Sequence, residues 1–274
     1  MPVVRFPHGP RRAPLPSLEL SLLSDQAGID LPDPVDDDIA RALLRTGEME
    51  IMGRMPWSSN ATFLTRVTDR SGAHTGAVLA IYKPRDGERP LWDFPDGTLC
   101  EREVAACVVS DLLGWELVPD TVLRDGPVGL GSVARFFDHD PEQHYFEIAV
   151  DHPDVFRRFA AFDIVVNNTD RKGGHVLLDT TGHVWGIDHG VCFHAHPKLR
   201  TVIWEFAGER VPDEILADLT RLRHRIDTGD LDGLDALLAP VELDALADRL
   251  DRLVHTARFP MTTGDYHDYP WPMI

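Results

Sequence analysis

Cysteine is scarce in this 274-residue chain: Cys100, Cys107 and Cys192 are the only ones, and no C-x-x-C pair occurs. That pattern excludes a disulfide framework and a thiolate-rich zinc site, and it suits a reducing compartment, so a cytoplasmic location is expected. Long apolar runs are missing as well. No stretch approaches the roughly 20 apolar residues that cross a bilayer, and the proline-rich opening from Met1 to Pro16 leads into no signal-sequence core. Neither secretion nor a membrane span is expected. Cations are in deficit, with 27 Lys and Arg against 45 Asp and Glu and a formal net charge of −18. Such a chain repels nucleic acid and anionic membrane surfaces, so nucleic acid is not an expected partner and any anionic substrate must be held by local cations or a metal ion. No segment repeats at solenoid or propeller period.

What is present is an ordinary globular balance, 43% hydrophobic. Residues 1–35 are rich in Pro, Asp and Leu without periodicity and read as a flexible arm. Ile39, Ala42, Leu43 and Leu44 recur at helical spacing before Gly47. The runs "MEIMGRM", "ATFLTRVTD" and "GAVLAIYKP" then read as successive antiparallel strands. Glu101 to Leu113 has a helical apolar face ending at Gly114, and "ELVPDTVLRD" and "GSVARFFDHD" are strand-like. The segment 36–140 is therefore expected to form a small α+β lobe. Residues 141–258 offer a helix from about Asp154, a polar loop, a hairpin, and then helical periodicity in "PDEILADLTRLRHRI", "LDGLDALL" and "ELDALADRLDRLVHTARF". A mostly helical lobe is expected there, followed by a tail, 259–274, packed through Tyr266, Tyr269 and Trp271.

Phosphoryl transfer from ATP needs a cation on the phosphates, carboxylates on a divalent metal and a group that orients the acceptor hydroxyl. Lys83 ends the strand "AVLAIYKP", and Glu103 follows 20 residues later on the next helix, a placement that suits an ion bridge between strand and helix. Two solvated surface charges are the plain alternative. The loop "NNTDRKGGH" gathers Asn167, Asn168, Asp170, Arg171, Lys172 and His175 around two glycines, a density beyond ordinary turn chemistry. "GIDHG" then presents Asp188 after a strand, as a metal-binding carboxylate is aimed into a cleft. Asp170 and Asp188 lie 18 residues apart, a hairpin's length that would bring both to one site. A Gly-rich phosphate loop is lacking, and in its place Ser58, Ser59 and Asn60 offer hydroxyls and N–H groups to phosphate or form a simple hairpin turn. His194 and His196 read as structural, the acids Asp36 to Asp38 as a helix start, and "RLRHR" as a solvated face.

Together, "FDIVVNNTDRKGGHVLLD" and "VWGIDHGVCFHAHPKLR" resemble the catalytic and metal-binding loops of phosphatidylinositol 3/4-kinase-like enzymes, most closely the type II phosphatidylinositol 4-kinases, over about residues 48–210. The resemblance implies a two-lobed protein-kinase-like fold of the α+β class, with a β-rich N-terminal lobe and a mostly helical C-terminal lobe. It implies a catalytic Asp at Asp170 within a loop that includes Arg171 and Lys172, a metal-binding Asp at Asp188, a phosphate-binding Lys at Lys83 and its paired acid at Glu103. Two positions depart from the family pattern. His175 stands where the family has a metal-binding Asn, and His189 follows Asp188 where lipid kinases often carry Asn or Phe. An imidazole is a softer ligand than an amide oxygen and suits Mn²⁺ better than Mg²⁺.

The expectation is an ATP-dependent phosphotransferase that uses ATP with Mg²⁺ or Mn²⁺. With no polybasic patch or membrane-inserting loop in view, a protein or small-molecule hydroxyl is preferred to a lipid as acceptor. A nucleotide-binding pseudokinase without turnover is the alternative that His175 motivates. A metal-dependent phosphoesterase built on Asp170, His175, Asp188 and His189 is a weaker third.

Overall fold

The computed structural model of the protein describes Pro32, residues 35–55, Ser58, residues 60–72 and residues 76–274. The expected arm at 1–35 falls almost wholly outside these residues, as does Ser59. Short apolar runs rich in β-branched residues, each closed by a turn, form five antiparallel strands: β1 (Glu48–Arg54), β2 (Phe63–Thr68), β3 (Ala77–Pro84), β4 (Thr121–Gly126) and β5 (Gly129–Arg135). They lie in the order β1-β2-β3-β5-β4, which makes β3 the central strand. Side chains alternate across a strand, so β3 presents two different faces. Val78, Ala80 and Tyr82 pack against Ala40, Leu43 and Leu44 of helix α1 (Asp37–Thr46). Leu79 and Ile81 turn to the opposite face, where they meet Met52, Met55, Leu64 and Phe136. Lys83 continues that second row, two residues beyond Ile81.

Helix α2 (Leu99–Leu113) connects β3 to β4. Its first N–H groups, those of Leu99 and Cys100, donate to the Glu88 carboxylate at 3.1 and 2.8 Å, which satisfies donors that a helix start otherwise leaves open. Gly114, at φ +68°, ends it in the left-handed conformation. Most of its residues are buried, as expected of a helix enclosed between a sheet and a second lobe.

The second lobe contains α3 (Tyr145–Ile148), α4 (Pro153–Val166), the short hairpin β6 (Val176–Leu178) and β7 (Val184–Gly186), then α5 (Asp213–Thr228), α6 (Leu234–Leu237) and α7 (Pro240–Thr256). Phe156, Phe159 and Phe162 of α4 form one core with Leu219 and Leu222 of α5 and Leu246, Leu250 and Leu253 of α7. Two expectations need correction. The helical pattern of 231–238 yields only the single turn of α6, because Gly233 sits at φ +86° and the chain is extended again by Leu238. The tail's aromatics do little of the packing either, since Tyr266 is 78% and Trp271 88% exposed and only Tyr269 is half-buried. Backbone hydrogen bonds hold it instead: Thr201 N–H donates to Asp268 O at 3.1 Å and Gly173 N–H to Met273 O at 2.7 Å. The "RLRHR" cluster of α5 is a solvated face, with Arg221, Arg223 and Arg225 each paired to nearby aspartates.

Strand β5 approaches the end of β3 closely. A Cβ at Gly131 would lie 2.4 Å from Lys83 O and 2.6 Å from Pro84 Cα, both backbone atoms that cannot swing aside. Gly131→Ala is expected to part these strands beside Lys83 and to cost about 1–3 kcal/mol, as overpacking does. Urea unfolding of the two proteins measures it, and equal midpoints would refute the close approach.

Candidate functional site

The second lobe's polar loop is organised around a buried carboxylate. Asp163 stands within the apolar run "FAAFDIVV" of α4 and is fully buried. A buried charge is tolerated only when it is matched. Arg171, also fully buried, contacts it through Nε at 3.1 Å from each oxygen and through Nη2 at 2.9 Å from Oδ1. Asn168 Nδ2 and Thr201 Oγ1 donate to the same carboxylate at 3.0 and 3.2 Å. Arg171 Nη1 donates to the carbonyls of His175 and Ile187, each at 3.2 Å. Helix α4 ends at Asn167, whose φ of +52° turns the chain into this loop. Asn168 Oδ1 then accepts the Asp170 N–H at 3.0 Å, so the loop's shape is fixed from within before Asp170 is reached.

The β6–β7 hairpin joins the two halves of the site. Val176 pairs with Gly186, and Ile187 N–H donates to His175 O at 3.0 Å. His175 and Asp188 therefore flank the hairpin's open end, with His175 Nε2 at 3.4 Å from Asp188 Oδ2. Asp188 itself is held at φ +63°, a strained conformation for a residue with a side chain and one that clusters at functional sites. Its other oxygen, Oδ1, meets Lys83 Nζ at 2.5 Å, and Lys83 Nζ is also 2.5 Å from Glu103 Oε1. Glu103 Oε2 accepts the His189 N–H at 3.0 Å. One lysine of the sheet thus contacts one acid from α2 and one from the second lobe.

The electrostatics follow from this geometry. Burial works against the Lys83 charge, but Asp188 and Glu103 together outweigh it and raise its pKa. The ammonium of Lys83 is the main reason that Asp188 is held well below the ordinary carboxylate range. Asp170 is shifted the other way: burial raises it and Asp188 adds to the rise, while Lys172, 3.0 Å from Oδ2, pulls it back. Burial lowers His175 to about 4 despite the Asp188 charge beside it. Its imidazole is therefore neutral near pH 7, with a buried Nδ1 that has no hydrogen-bond partner.

Of the residues singled out in the sequence, Lys83, Glu103, Asp188 and His175 converge, and Asp170 and Lys172 adjoin them. Arg171 does not reach the cleft; its guanidinium is consumed by Asp163, by two carbonyls and by His189 Nε2 at 2.7 Å. Ser58 shares a 2.8 Å hydrogen bond with Thr62 inside its own turn, and Asn60 Oδ1 accepts the Arg89 N–H at 2.8 Å, which ties that turn to the segment after β3. His194 and His196 lend their carbonyls to Asn167 Nδ2, each at 2.8 Å, in keeping with a structural role. Among the described residues no three His, Cys, Asp or Glu side chains form a ready metal cage. A cavity of about 520 Å³ lies elsewhere, between α1, the end of α2 and the β6–β7 turn, and none of the convergent residues lines it.

The profile of the phosphatidylinositol 3- and 4-kinase family matches residues 127–230, which include Asp170, His175 and Asp188. A Mycobacterium tuberculosis protein, Rv2133c, is 38% identical over 270 residues, covering 86% of this chain and 95% of that protein. The chain belongs to one family with Rv2133c, and its central segment is phosphatidylinositol 3/4-kinase-like. Its fold is similar to that of the Golgi casein kinase, solved with Mn and ADP bound, at a TM-score of 0.50 and 13% identity over 88% of this chain and 81% of that one. A proinflammatory kinase of Helicobacter pylori, CtkA, aligns with a TM-score of 0.46 and 13% identity over 79% of this chain and 94% of that one.

Several supporting residues escaped the reading of the sequence. Asp163 was signalled only by being a lone acid inside an apolar helix. The row Leu79, Ile81, Lys83 was legible from strand alternation, which places an apolar surface and the lysine on one face.

The His175 shift carries a stability consequence. As pH falls, the unfolded chain takes up a proton near 6.5, while the folded protein does so only near 4. Stability is therefore lost between these values. In metal-free protein, His175→Asn is expected to remove roughly 1–2 kcal/mol of the loss between pH 7 and pH 5. Denaturant titrations at the two pH values measure it, and an unchanged slope would contradict the buried neutral imidazole.

Proposed function

We propose that the chain is an ATP-dependent phosphotransferase that moves the γ-phosphoryl group to a hydroxyl acceptor. The observation that carries this reading is Lys83 Nζ held at 2.5 Å from both Glu103 and Asp188. Such a lysine is fixed in position to meet nucleotide phosphates, and electrostatic stabilisation from fixed charges is the main work of a kinase site. On the same face the partly buried Met52 and Ile81 leave apolar surface that suits the nucleotide base. Asp170, whose basicity is increased by burial, orients the acceptor hydroxyl and takes up its proton. Lys172 beside it supports negative charge on the transferred group. Arg171 acts through Asp163 and holds the loop. Ser58 and Asn60 lie in the turn at the Lys83 end of the sheet, where they would meet phosphate.

Asp188 and His175 would hold a divalent cation: one carboxylate oxygen faces His175 Nε2, and the neutral ring has a lone pair to give. Such an ion, Mg²⁺ or Mn²⁺, supplies charge neutralisation at the phosphates. That the Golgi casein kinase, of similar fold, was solved with Mn and ADP supports a nucleotide with a divalent cation here. The acceptor favoured is a protein or small-molecule hydroxyl, and the site of action is cytoplasmic. A second reading, nucleotide binding without turnover, is favoured by the imidazole that replaces the family's amide ligand.

Asp170→Asn is expected to lower kcat at least a hundredfold with little change in nucleotide affinity, whereas Asp188→Asn should also weaken metal-dependent nucleotide binding. Lys83→Met should raise KM for ATP and lower kcat. ATP consumption measured beside nucleotide-induced thermal stabilisation separates enzyme from binder, because a binder shows only the second. Wild-type turnover in Asp170→Asn and Asp188→Asn would overturn the reading. His175→Asn should shift the metal preference from Mn²⁺ towards Mg²⁺. Identical titrations of both proteins with both metals would remove His175 from the ligand set.

A further inference from the structure

Arg102 takes no part in the chemistry above, yet its guanidinium lies inside the molecule, 2% exposed. A permanent charge is retained there only when its donors are matched. Nη2 donates to Glu242 Oε1 at 2.5 Å, Nη1 to Cys192 O at 2.9 Å and Nε to Thr98 Oγ1 at 3.3 Å, and the group lies over the Phe94 ring at 4.9 Å. Glu242 Oε2 accepts the Ala239 N–H at 2.9 Å and so closes the start of α7. One side chain of α2 therefore ties together α2, α7 and the segment that follows Asp188.

Its neighbour Glu103 holds the same segment at the other end. Glu103 Oε2 accepts the His189 N–H while Oε1 takes Lys83. Between the two attachments lies Gly190, where a Cβ would stand 3.3 Å from Glu103 Oε1 and 3.4 Å from Leu99 O. Residues 189–192 are thus pressed onto α2 and gripped by consecutive helix residues. Side chains one residue apart on a helix diverge by about 100°. Both attachments hold at only one rotation of α2, and that rotation is the one at which Glu103 reaches Lys83.

We propose that Arg102 is a positioning residue for phosphotransfer, acting through Glu242 and the Cys192 carbonyl to fix the rotation of α2 that pairs Glu103 with Lys83 and the His189 N–H. The inference rests on the kinase reading of Lys83, but its first readout does not. Arg102→Met alone leaves Glu242 buried without its partner and is a poor test, because misfolding would mimic misalignment. Arg102→Met combined with Glu242→Gln removes both charges and keeps an acceptor for Ala239. Arg102→Lys keeps the charge opposite Glu242 but loses the planar fork that also reaches Cys192.

Amide hydrogen exchange, kcat and KM for ATP are measured on all three proteins. In the double variant the His189 amide is expected to exchange at least tenfold faster, with amides in the middle of α4 changing less than twofold. kcat should fall tenfold or more and KM less than threefold, with Arg102→Lys intermediate in both exchange and kcat. Unchanged His189 exchange, or a uniform acceleration across α4 and α7, would reduce Arg102 to a stabilising contact and overturn the proposal. Should wild type and Lys83→Met consume ATP at the same background rate, the kinase reading falls, while the exchange result still decides whether Arg102 sets α2.

Discussion

Everything at the site hangs on the burial of one ion pair. Asp163 and Arg171 are both removed from water, and neither charge is tolerable alone, so the chain must deliver partners to every one of their polar atoms. Asn168 and Thr201 complete the acid, and the carbonyls of His175 and Ile187 with His189 Nε2 complete the base. These partners come from the loop after α4, from both ends of the β6–β7 hairpin and from the segment near residue 200. Satisfying one buried pair therefore determines where Asp170, His175 and Asp188 stand. Its desolvation offsets much of its attraction, so breaking the pair costs more than the pair itself contributes.

The cluster around Lys83 works on the opposite principle. Its side chain and that of Glu103 are 20% and 13% exposed, whereas Asp188 is half exposed, so the group sits at the edge of the cleft rather than in the core. Two carboxylates on one ammonium leave an excess of negative charge, which a divalent cation suits better than a second lysine would. The positive φ of Asp188 is sustained because residues on both sides are fixed, His189 by Glu103 and Ile187 by His175.

Much of this was legible in the sequence because the signals are local. Short apolar runs between turns marked β1 to β5, Gly114 ended α2 as its position implied, and the density of Asn, Asp and Lys around Gly173 and Gly174 marked the loop. The remaining features depend on contacts between distant residues. Arg171 looked like a cleft residue because its neighbours are, and only the fold shows that Asp163, eight residues earlier, claims it. Arg102 and Glu242 are 140 residues apart, so nothing in either neighbourhood announces the other. The tail's aromatics suggested side-chain packing, whereas its hold is through backbone groups that every sequence carries. In "LDGLDALL" the apolar spacing was helical, but Gly233 at positive φ cut the element to one turn.

The hydrogen bond from Gly173 N–H to the carbonyl of Met273 links the end of the described chain to the loop that carries His175. Ile274 Cγ2 also stands 3.9 Å from where a Cβ on Gly174 would be. A peptide fused after Ile274 for purification or labelling would begin within a few ångströms of that loop. It would crowd the loop between Asp170 and His175, so an assay preparation is better tagged elsewhere. The same proximity makes Trp271, exposed and close by in sequence, a built-in fluorophore for following how the loop responds to nucleotide.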